Sequence, residues 1–567
     1  MDAVGFSYCL GTYHDAVISA LEALSQKDII TRIWAKDYTV WKPAPDEIVN
    51  RLGWLDAPAE MLLRIQNIRA ILEPLISSDI KDVVLLGMGG SSLAAEVFSK
   101  IFGCRPGYPR LRILDTTDPA LIAGTARNLE LKKTVFLVSS KSGTTLETTS
   151  LFYYFYNLVS EEIGADAGNH FILITDQDSP LVKIARELSL QHIFLSNPAI
   201  GGRYSALSMP GIVPAIIVGV DVERLLQNAA SAMLREKTQS ISGKLNAPGA
   251  CLGAVLGTLA QMGRDKLTFI MVPQWKSFGD WLEQLIAEST GKEGKGILPV
   301  LDEPISAPDR YRRDRVFVFF NNRHHKRSED IAALTAAGHP VITVELNDPY
   351  DIGAQMFIWE MAIAVAGHIL SINPFVQPSV EATKNHTRRM IALLREGKKL
   401  PPETPALTTS AYSIYGSNPD SSVESALNDF LQLADGNYIS LQVYLSPAKE
   451  SEEALRQLRT AIFTRCRLPV TIGYGPRYLH STGQLHKGDA GKGLFIQLTA
   501  ADSLDMEIPD QPGVTGSALS FSTLKAFQAE ADRQALLELG RKVIRIHLQK
   551  NIAAGIEAIA GTLTGKY

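Results

Sequence analysis

The chain has 567 residues, too many for one hydrophobic core and enough for two or three compact domains. Hydrophobic residues make up 46% and charged residues 20%, the balance of a soluble globular enzyme, and a net charge of −4 with a pI near 6.3 leaves no basic field for nucleic acid or an anionic membrane. The four cysteines, Cys9, Cys104, Cys251 and Cys466, have no paired or metal-ligand spacing, which disfavours a disulfide framework and a zinc site and fits a reducing cytoplasm.

No basic-then-apolar leader follows Met1, and the apolar run at 209–220 is short and Pro-interrupted, so neither a signal peptide nor a membrane span is expected. Residues 1–58 read as helix and loop, with Val17, Leu21 and Leu24 on one helical face and Pro43 and Pro45 marking a loop. A helix at 59–76 opens a first α/β unit, 59–221. Its strands fall at 82–86, 134–138, 171–175 and 193–195, and its helices at 93–102 and 146–160. A helix at 222–236 and a Gly/Pro break at 243–249 open a second unit, 222–397. Here strands at 267–272, 316–320 and 341–346 alternate with helices at 278–289, 328–337 and 355–370. A Pro/Ser/Thr-rich linker at 398–422 leads into a third unit, 398–567. Its helices are predicted at 423–433, 451–464 and 524–539, and its strands at 438–444, 470–474, 494–498 and 543–547. Strands alternating with helices imply doubly wound parallel sheets, and the first two units read as a pseudo-repeat.

Five segments carry chemistry. Gly87-Met88-Gly89-Gly90-Ser91-Ser92 joins a strand to a helix, where glycines allow close backbone approach and a helix N-terminus favours an anion. A plain βα turn has the same look. Ser139-Ser140-Lys141-Ser142-Gly143-Thr144-Thr145, followed by Glu147, sets five hydroxyls and one ammonium between another strand and helix. A helix cap needs one hydroxyl, so this segment suits a tetrahedral oxyanion; GxxxxGK[ST] is absent, and nucleotide triphosphate chemistry is not implied. Gly201-Gly202-Arg203-Tyr204-Ser205 can present a guanidinium, although a loop arginine is commonly just solvated. Gln284 and Glu288 are four apart and share one helix face beside Trp281, Leu282, Leu285 and Ile286, so partial burial would raise the Glu288 pKa and suit it to act as a base. Asn373-Pro374-Phe375-Val376-Gln377, with Val380-Glu381 and Lys384, reads by itself as a loop entering a helix.

In order and together, over about 34–394, these segments resemble the glucose-6-phosphate isomerase (phosphoglucose isomerase) family. The nearer likeness is to the isomerase half of bacterial transaldolase/phosphoglucose isomerase fusions. It rests on Ile33-Trp34-Ala35-Lys36-Asp37, Trp41-Lys42-Pro43 and the tail 475–488. No second catalytic barrel fits, so transaldolase activity is not expected. The resemblance implies two SIS-type domains plus a C-terminal α/β extension. It implies interconversion of glucose 6-phosphate and fructose 6-phosphate, a step of glycolysis and gluconeogenesis, with no metal or organic cofactor. It also implies a cytoplasmic homodimer whose partner is a small sugar phosphate rather than nucleic acid or membrane.

Residue by residue, the resemblance makes Ser140, Ser142 and Thr145 phosphate ligands, with Lys141 in the same turn. Gly89, Gly90 and Ser91 line the sugar, and Gln284 contacts substrate. Glu288 becomes the base between C1 and C2, Arg203 the stabiliser of the enediolate and Lys384 an aid to ring opening. One departure stands out: Gly353-Ala354-Gln355-Met356 occupies the place of the family's Gly-Gln-His segment, and Gln355 is neither acid nor base. The tail offers His486 in Gly483-Gln484-Leu485-His486, with His480 as the second candidate; a solvated loop histidine is the plain alternative for His486. Rival readings are another hexose phosphate isomerase, acting on mannose or amino-sugar phosphates, and a sugar-phosphate sensor. A sensor would not need Glu288, Arg203 and Lys384 together, and no DNA-binding helix-turn-helix accompanies them.

Overall fold

The computed structural model describes residues 5–241, 247–322, 327–396, 403–416, 423–433 and 438–564. Residues 243–246 of the predicted Gly/Pro break, and 398–402 and 417–422 of the predicted linker, lie outside the described residues.

The first strand, β1 (Phe6–Cys9), corrects the reading of 1–58 as helix and loop alone, because it belongs to a sheet formed much later in the chain. The first sheet comprises β2 (Asp82–Gly87), β3 (Arg110–Leu114), β4 (Thr134–Ser139), β5 (Phe171–Thr175) and β6 (His192–Leu195), parallel throughout, in the order β3-β2-β4-β5-β6. Strands β2, β4 and β5 are buried along their whole length, as continuous Val/Leu/Ile/Phe runs require when helices cover both faces. The second sheet contains β7 (Lys266–Met271), β8 (Leu298–Val300), β9 (Arg315–Asn321) and β10 (Val341–Glu345), ordered β10-β9-β7-β8 and parallel. The N-terminal strand β1 caps the β10 edge in antiparallel pairing.

Within the predicted linker the chain forms β11 (Leu407–Thr408) and β12 (Tyr412–Tyr415), both paired into the third sheet. That sheet continues with β13 (Tyr438–Tyr444), β14 (Val470–Tyr474), β15 (Gly493–Ala500) and, after a small antiparallel pair β16 (Glu507–Ile508) and β17 (Leu519–Ser520), β18 (Lys542–Leu548). Its parallel part runs β18-β15-β13-β14. The parallel parts of all three sheets therefore share one winding: the first parallel strand of each sits between the second and third, which makes a topological switch point.

One hydrophobic core runs across the first two sheets, joining Val83 and Leu85 to Phe320 and Trp359 through Trp54, Trp281 and Leu285. Helix Asp351–Ile369 is long and apolar enough to cross a bilayer, but 83% of its apolar window is buried inside the protein. The pattern assigns no helix to 248–261, yet Pro248–Gln261 is one, and Gly249, Gly253 and Gly257 lay a side-chain-free stripe against Ile358, Ala362 and Ile369 of that buried helix. The third unit shares a core with the second sheet through Phe317 and Phe319, and its helix Phe521–Glu538 packs Phe521 and Leu524 into the core of the first unit.

Candidate active site

Ligands of doubly wound sheets lie beyond the carboxyl ends of the strands at the switch point. In the first sheet that point falls between β2 and β4, the two strands that run into the Gly89–Ser91 and Ser140–Thr145 turns. In the second it falls between β7 and β9, and β7 leads through a short 3-10 turn into helix Lys276–Thr290, which carries Gln284 and Glu288.

Gly89 has φ +54, and a Cβ there would stand 2.7 Å from Gln284 Nε2 and 3.0 Å from the His480 carbonyl. A Cβ on Gly90 would overlap the backbone of Gly202. These glycines let the first turn, the Arg203 loop and the His480 segment meet backbone to backbone, with the Gln284 side chain closing over Gly89. Ser205 Oγ donates to the Gly90 carbonyl at 3.1 Å, and Gln284 Nε2 donates to the His480 carbonyl at 2.8 Å.

Arg203 is buried beside Glu288, with Nη1 3.4 Å from Oε1. The guanidinium is held in place by Ser289 Oγ at 2.8 Å and by the carbonyls of Pro374 at 2.5 Å and Val376 at 3.3 Å. Lys292, also buried, donates to the same Val376 carbonyl at 2.5 Å. Glu288 Oε2 is buried without a hydrogen-bond partner. Burial raises the Glu288 pKa, and the opposing charges of Arg203, Lys292 and His480 only partly offset it.

In the hydroxyl-rich turn, Ser140 Oγ accepts from the Gly143 N–H at 3.2 Å and donates to Thr145 Oγ1 at 3.3 Å, while Ser142 and Thr144 share a hydrogen bond at 3.0 Å with both side chains on the solvent side. Thr144 and Thr145 line a small cavity of about 70 Å³ with Glu147, Lys384 and His480. Lys141 departs from its expected place. Its ammonium is taken by Asp176 Oδ2 at 2.6 Å and the Pro198 carbonyl at 3.0 Å, so it ties the turn to the end of β5 and its charge is already matched by a carboxylate of the protein.

His486 is a second correction. It is neither solvated nor in the crevice: it is 1% exposed, ringed by Tyr438, Tyr478 and Phe495 at centroid distances of 6.2, 5.8 and 5.1 Å, with both ring nitrogens unpartnered. Desolvation pushes its pKa well below the usual value, so it stays neutral. The short helix Gly483–Gly488 turns it into the third unit. The histidine that does reach the crevice is His480, whose Nε2 pairs with Glu147 Oε1 at 2.9 Å. Burial would lower the His480 pKa, but the Glu147 charge and hydrogen bond outweigh it and the net shift is upward.

Glu147 follows the hydroxyl turn in sequence, but nothing local marks it as a partner of a histidine 333 residues away. Gln528 and Thr117, which extend this chain of hydrogen bonds, have no sequence signal at all, because only the docking of the third unit brings them there.

Residues 65–296 match the Phosphoglucose isomerase family. A probable glucose-6-phosphate isomerase of Natronomonas pharaonis is 30% identical over 368 residues, covering 57% of this chain and 82% of the relative. A second, from Methanococcus maripaludis, is 30% identical over 349 residues, 54% of this chain and 78% of the relative. Among solved structures, a hypothetical protein of Thermus thermophilus superposes with a TM-score of 0.58 at 25% identity, over 68% of this chain and 100% of its own. A glucose-6-phosphate isomerase of Chlamydia trachomatis gives a TM-score of 0.57 at 20% identity, over 69% of this chain and 89% of its own, a likeness of fold.

Proposed function

The chain belongs to the phosphoglucose isomerase family, and from that membership we propose that it interconverts glucose 6-phosphate and fructose 6-phosphate through a cis-enediol(ate). The observation that carries the chemistry is one buried carboxylate, Glu288, with a free oxygen and a buried guanidinium 3.4 Å away. Glu288 takes the C2 proton of the open-chain aldose and returns it to C1 on the same face, a general-base contribution of about 10²- to 10⁴-fold. Arg203 is a fixed cation beside the negative charge that develops on the enediolate oxygens, and it is already oriented by Ser289, Pro374 and Val376 before substrate arrives.

The Ser140, Ser142 and Thr145 hydroxyls hold the phosphate. Anchoring the substrate at that remote end turns its binding energy into alignment of C1 and C2 with Glu288. Gly89, Gly90, Ser91 and Gln284 form the wall along the sugar. His480, paired with Glu147, takes the ring-opening role that His486 cannot fill, and Lys384 assists from the same cavity. The reading includes a cytoplasmic setting, which four cysteines without paired or metal-ligand spacing support, and a homodimer, which the family resemblance supports. Neither a metal nor an organic cofactor enters the reaction.

The test is isomerisation of glucose 6-phosphate by chelator-treated protein, with mannose 6-phosphate in parallel to separate the hexose specificities. Glu288→Gln is expected to lose at least about 10²-fold in kcat while binding substrate almost normally. A variant that keeps near-normal kcat removes Glu288 from the role of base.

A further inference from the structure

Glu147 Oε1 accepts two hydrogen bonds: from His480 Nε2 at 2.9 Å and from Gln528 Nε2 at 2.7 Å. Gln528 is 4% exposed and projects from helix Phe521–Glu538 of the third unit. Its own Oε1 accepts from Thr117 Oγ1 at 2.9 Å, and Thr117 is fully buried. The opposite amide orientation would set Gln528 Oε1 against the carboxylate, so the contact fixes which end of the amide faces Glu147. The helix is held at the same level, where Gln497 Nε2 donates to the Ala529 carbonyl at 2.9 Å.

We propose that Gln528 is a positioning residue for ring opening: by donating to Glu147, it keeps that carboxylate ionised and aimed at His480, so that His480 holds the proton it delivers to the sugar. The inference rests on the assignment of His480 to ring opening. In that step the sugar's ring oxygen gains the proton of His480 Nδ1, the nitrogen that Glu147 does not engage, as the C1–O5 bond breaks, and the C1 hydroxyl gives up its own proton as the aldehyde forms. The imidazolium is restored when His480 recovers a proton from that hydroxyl or from solvent.

A carboxylate that loses one of two donors is less stabilised as an anion, so its pKa rises and the pairing that supports the imidazolium weakens. The groups around the pair leave this lever intact. Glu147 stands on helix Leu146–Ile163, Glu288 on Lys276–Thr290, Lys384 and Arg388 on Val380–Arg395 and Lys487 on Gly483–Gly488. Lys487 is neutralised locally by its ion pair with Asp532. Gln528 adds no charge, so it tunes the pair through its hydrogen bond alone.

The experiment follows interconversion of the α and β anomers of glucose 6-phosphate by exchange NMR, across pH, in the Glu288→Gln background, whose isomerisation is expected to be at least about 10²-fold slower. Adding Gln528→Met, close in size but without a donor, is expected to move the alkaline limb of catalysed anomerisation down by about one pH unit. The rate should return to within about twofold of the parent at pH values below the shifted limb, a recovery that a misfolded variant cannot show. Thr117→Val should shift the limb in the same direction and by less. An unmoved limb, or an equal loss at every pH, overturns the role of Gln528. If the Glu288→Gln parent itself anomerises no faster than buffer, or does so equally well with His480→Ala, the assignment of His480 falls and Gln528 falls with it.

Discussion

Glu288 has to be ionised to accept a proton, yet its surroundings favour the neutral acid. Burial raises its pKa, and Arg203 at 3.4 Å supplies the opposing charge that keeps the shift from running further. The sign follows directly: a raised pKa keeps the carboxyl protonated to higher pH, so activity is lost as pH falls through a value above the ordinary glutamate figure of about 4.3. His480 sets the other side. Its pKa is raised by Glu147 against the pull of burial, so the protonated form persists above the usual histidine value of about 6.5 and activity falls as pH rises through it. The expected profile of kcat/KM is a bell with both limbs displaced upward, read from initial rates across pH. An acid limb at the ordinary glutamate position would mean that Glu288 is better solvated than its burial implies, and the assignment of the base would weaken with it.

The turns at the ends of β2 and β4 were readable because each announces itself locally: glycines where backbones touch, and a run of hydroxyls where an anion fits. What each residue does inside a turn was less readable. Lys141 sits in the hydroxyl run, but its ammonium answers to Asp176, 35 residues away, and no local pattern encodes that. The choice between His480 and His486 turned on which way the short stretch between them winds. Helix Pro248–Gln261 was hidden for a different reason. Its glycines argue against a helix by propensity, while packing against Asp351–Ile369 rewards their lack of side chains, and tertiary packing wins. The same logic of contact yields a paired prediction for the site. A Cβ at Gly90 meets immovable backbone at Gly202, whereas a Cβ at Gly202 meets nothing within 4 Å. Gly90→Ala should therefore cost about 1–3 kcal/mol or more by forcing the two turns apart, and should lower kcat with it. Gly202→Ala should leave the melting temperature almost unchanged. Equal thermal shifts for the two variants would mean that the turns do not meet as described.

At the scale of the molecule, three sheets with one winding are packed so that the third braces the other two. Strand–helix alternation made the three units legible, and a pseudo-repeat between the first two, but the docking of the third was not legible, because the contacts join residues hundreds of positions apart. The bracing has a charged centre. Lys525, on the helix that carries Gln528, pairs with Asp118 Oδ2 at 2.8 Å and with Asp502, and Ser446 Oγ adds hydrogen bonds to Asp118 at 2.9 and 2.7 Å. Asp118 also caps helix Pro119–Arg127 of the first unit through the Leu121 N–H, so one carboxylate serves a helix terminus and the junction between units. Removing the cation would strand two carboxylates, one of them fully enclosed, and breaking such a pair from one side typically costs about 3–5 kcal/mol. Lys525→Met, which keeps the aliphatic stem, should lower the thermal transition accordingly. It should also lower isomerase activity below that transition, because Gln528 is one helical turn away and Glu147 depends on it. Adding Asp118→Asn should restore part of the stability, since it removes one of the stranded charges while retaining a polar cap. Unchanged melting and activity in Lys525→Met would show that the third unit is held by its apolar contacts alone and that its bearing on the crevice does not pass through this junction.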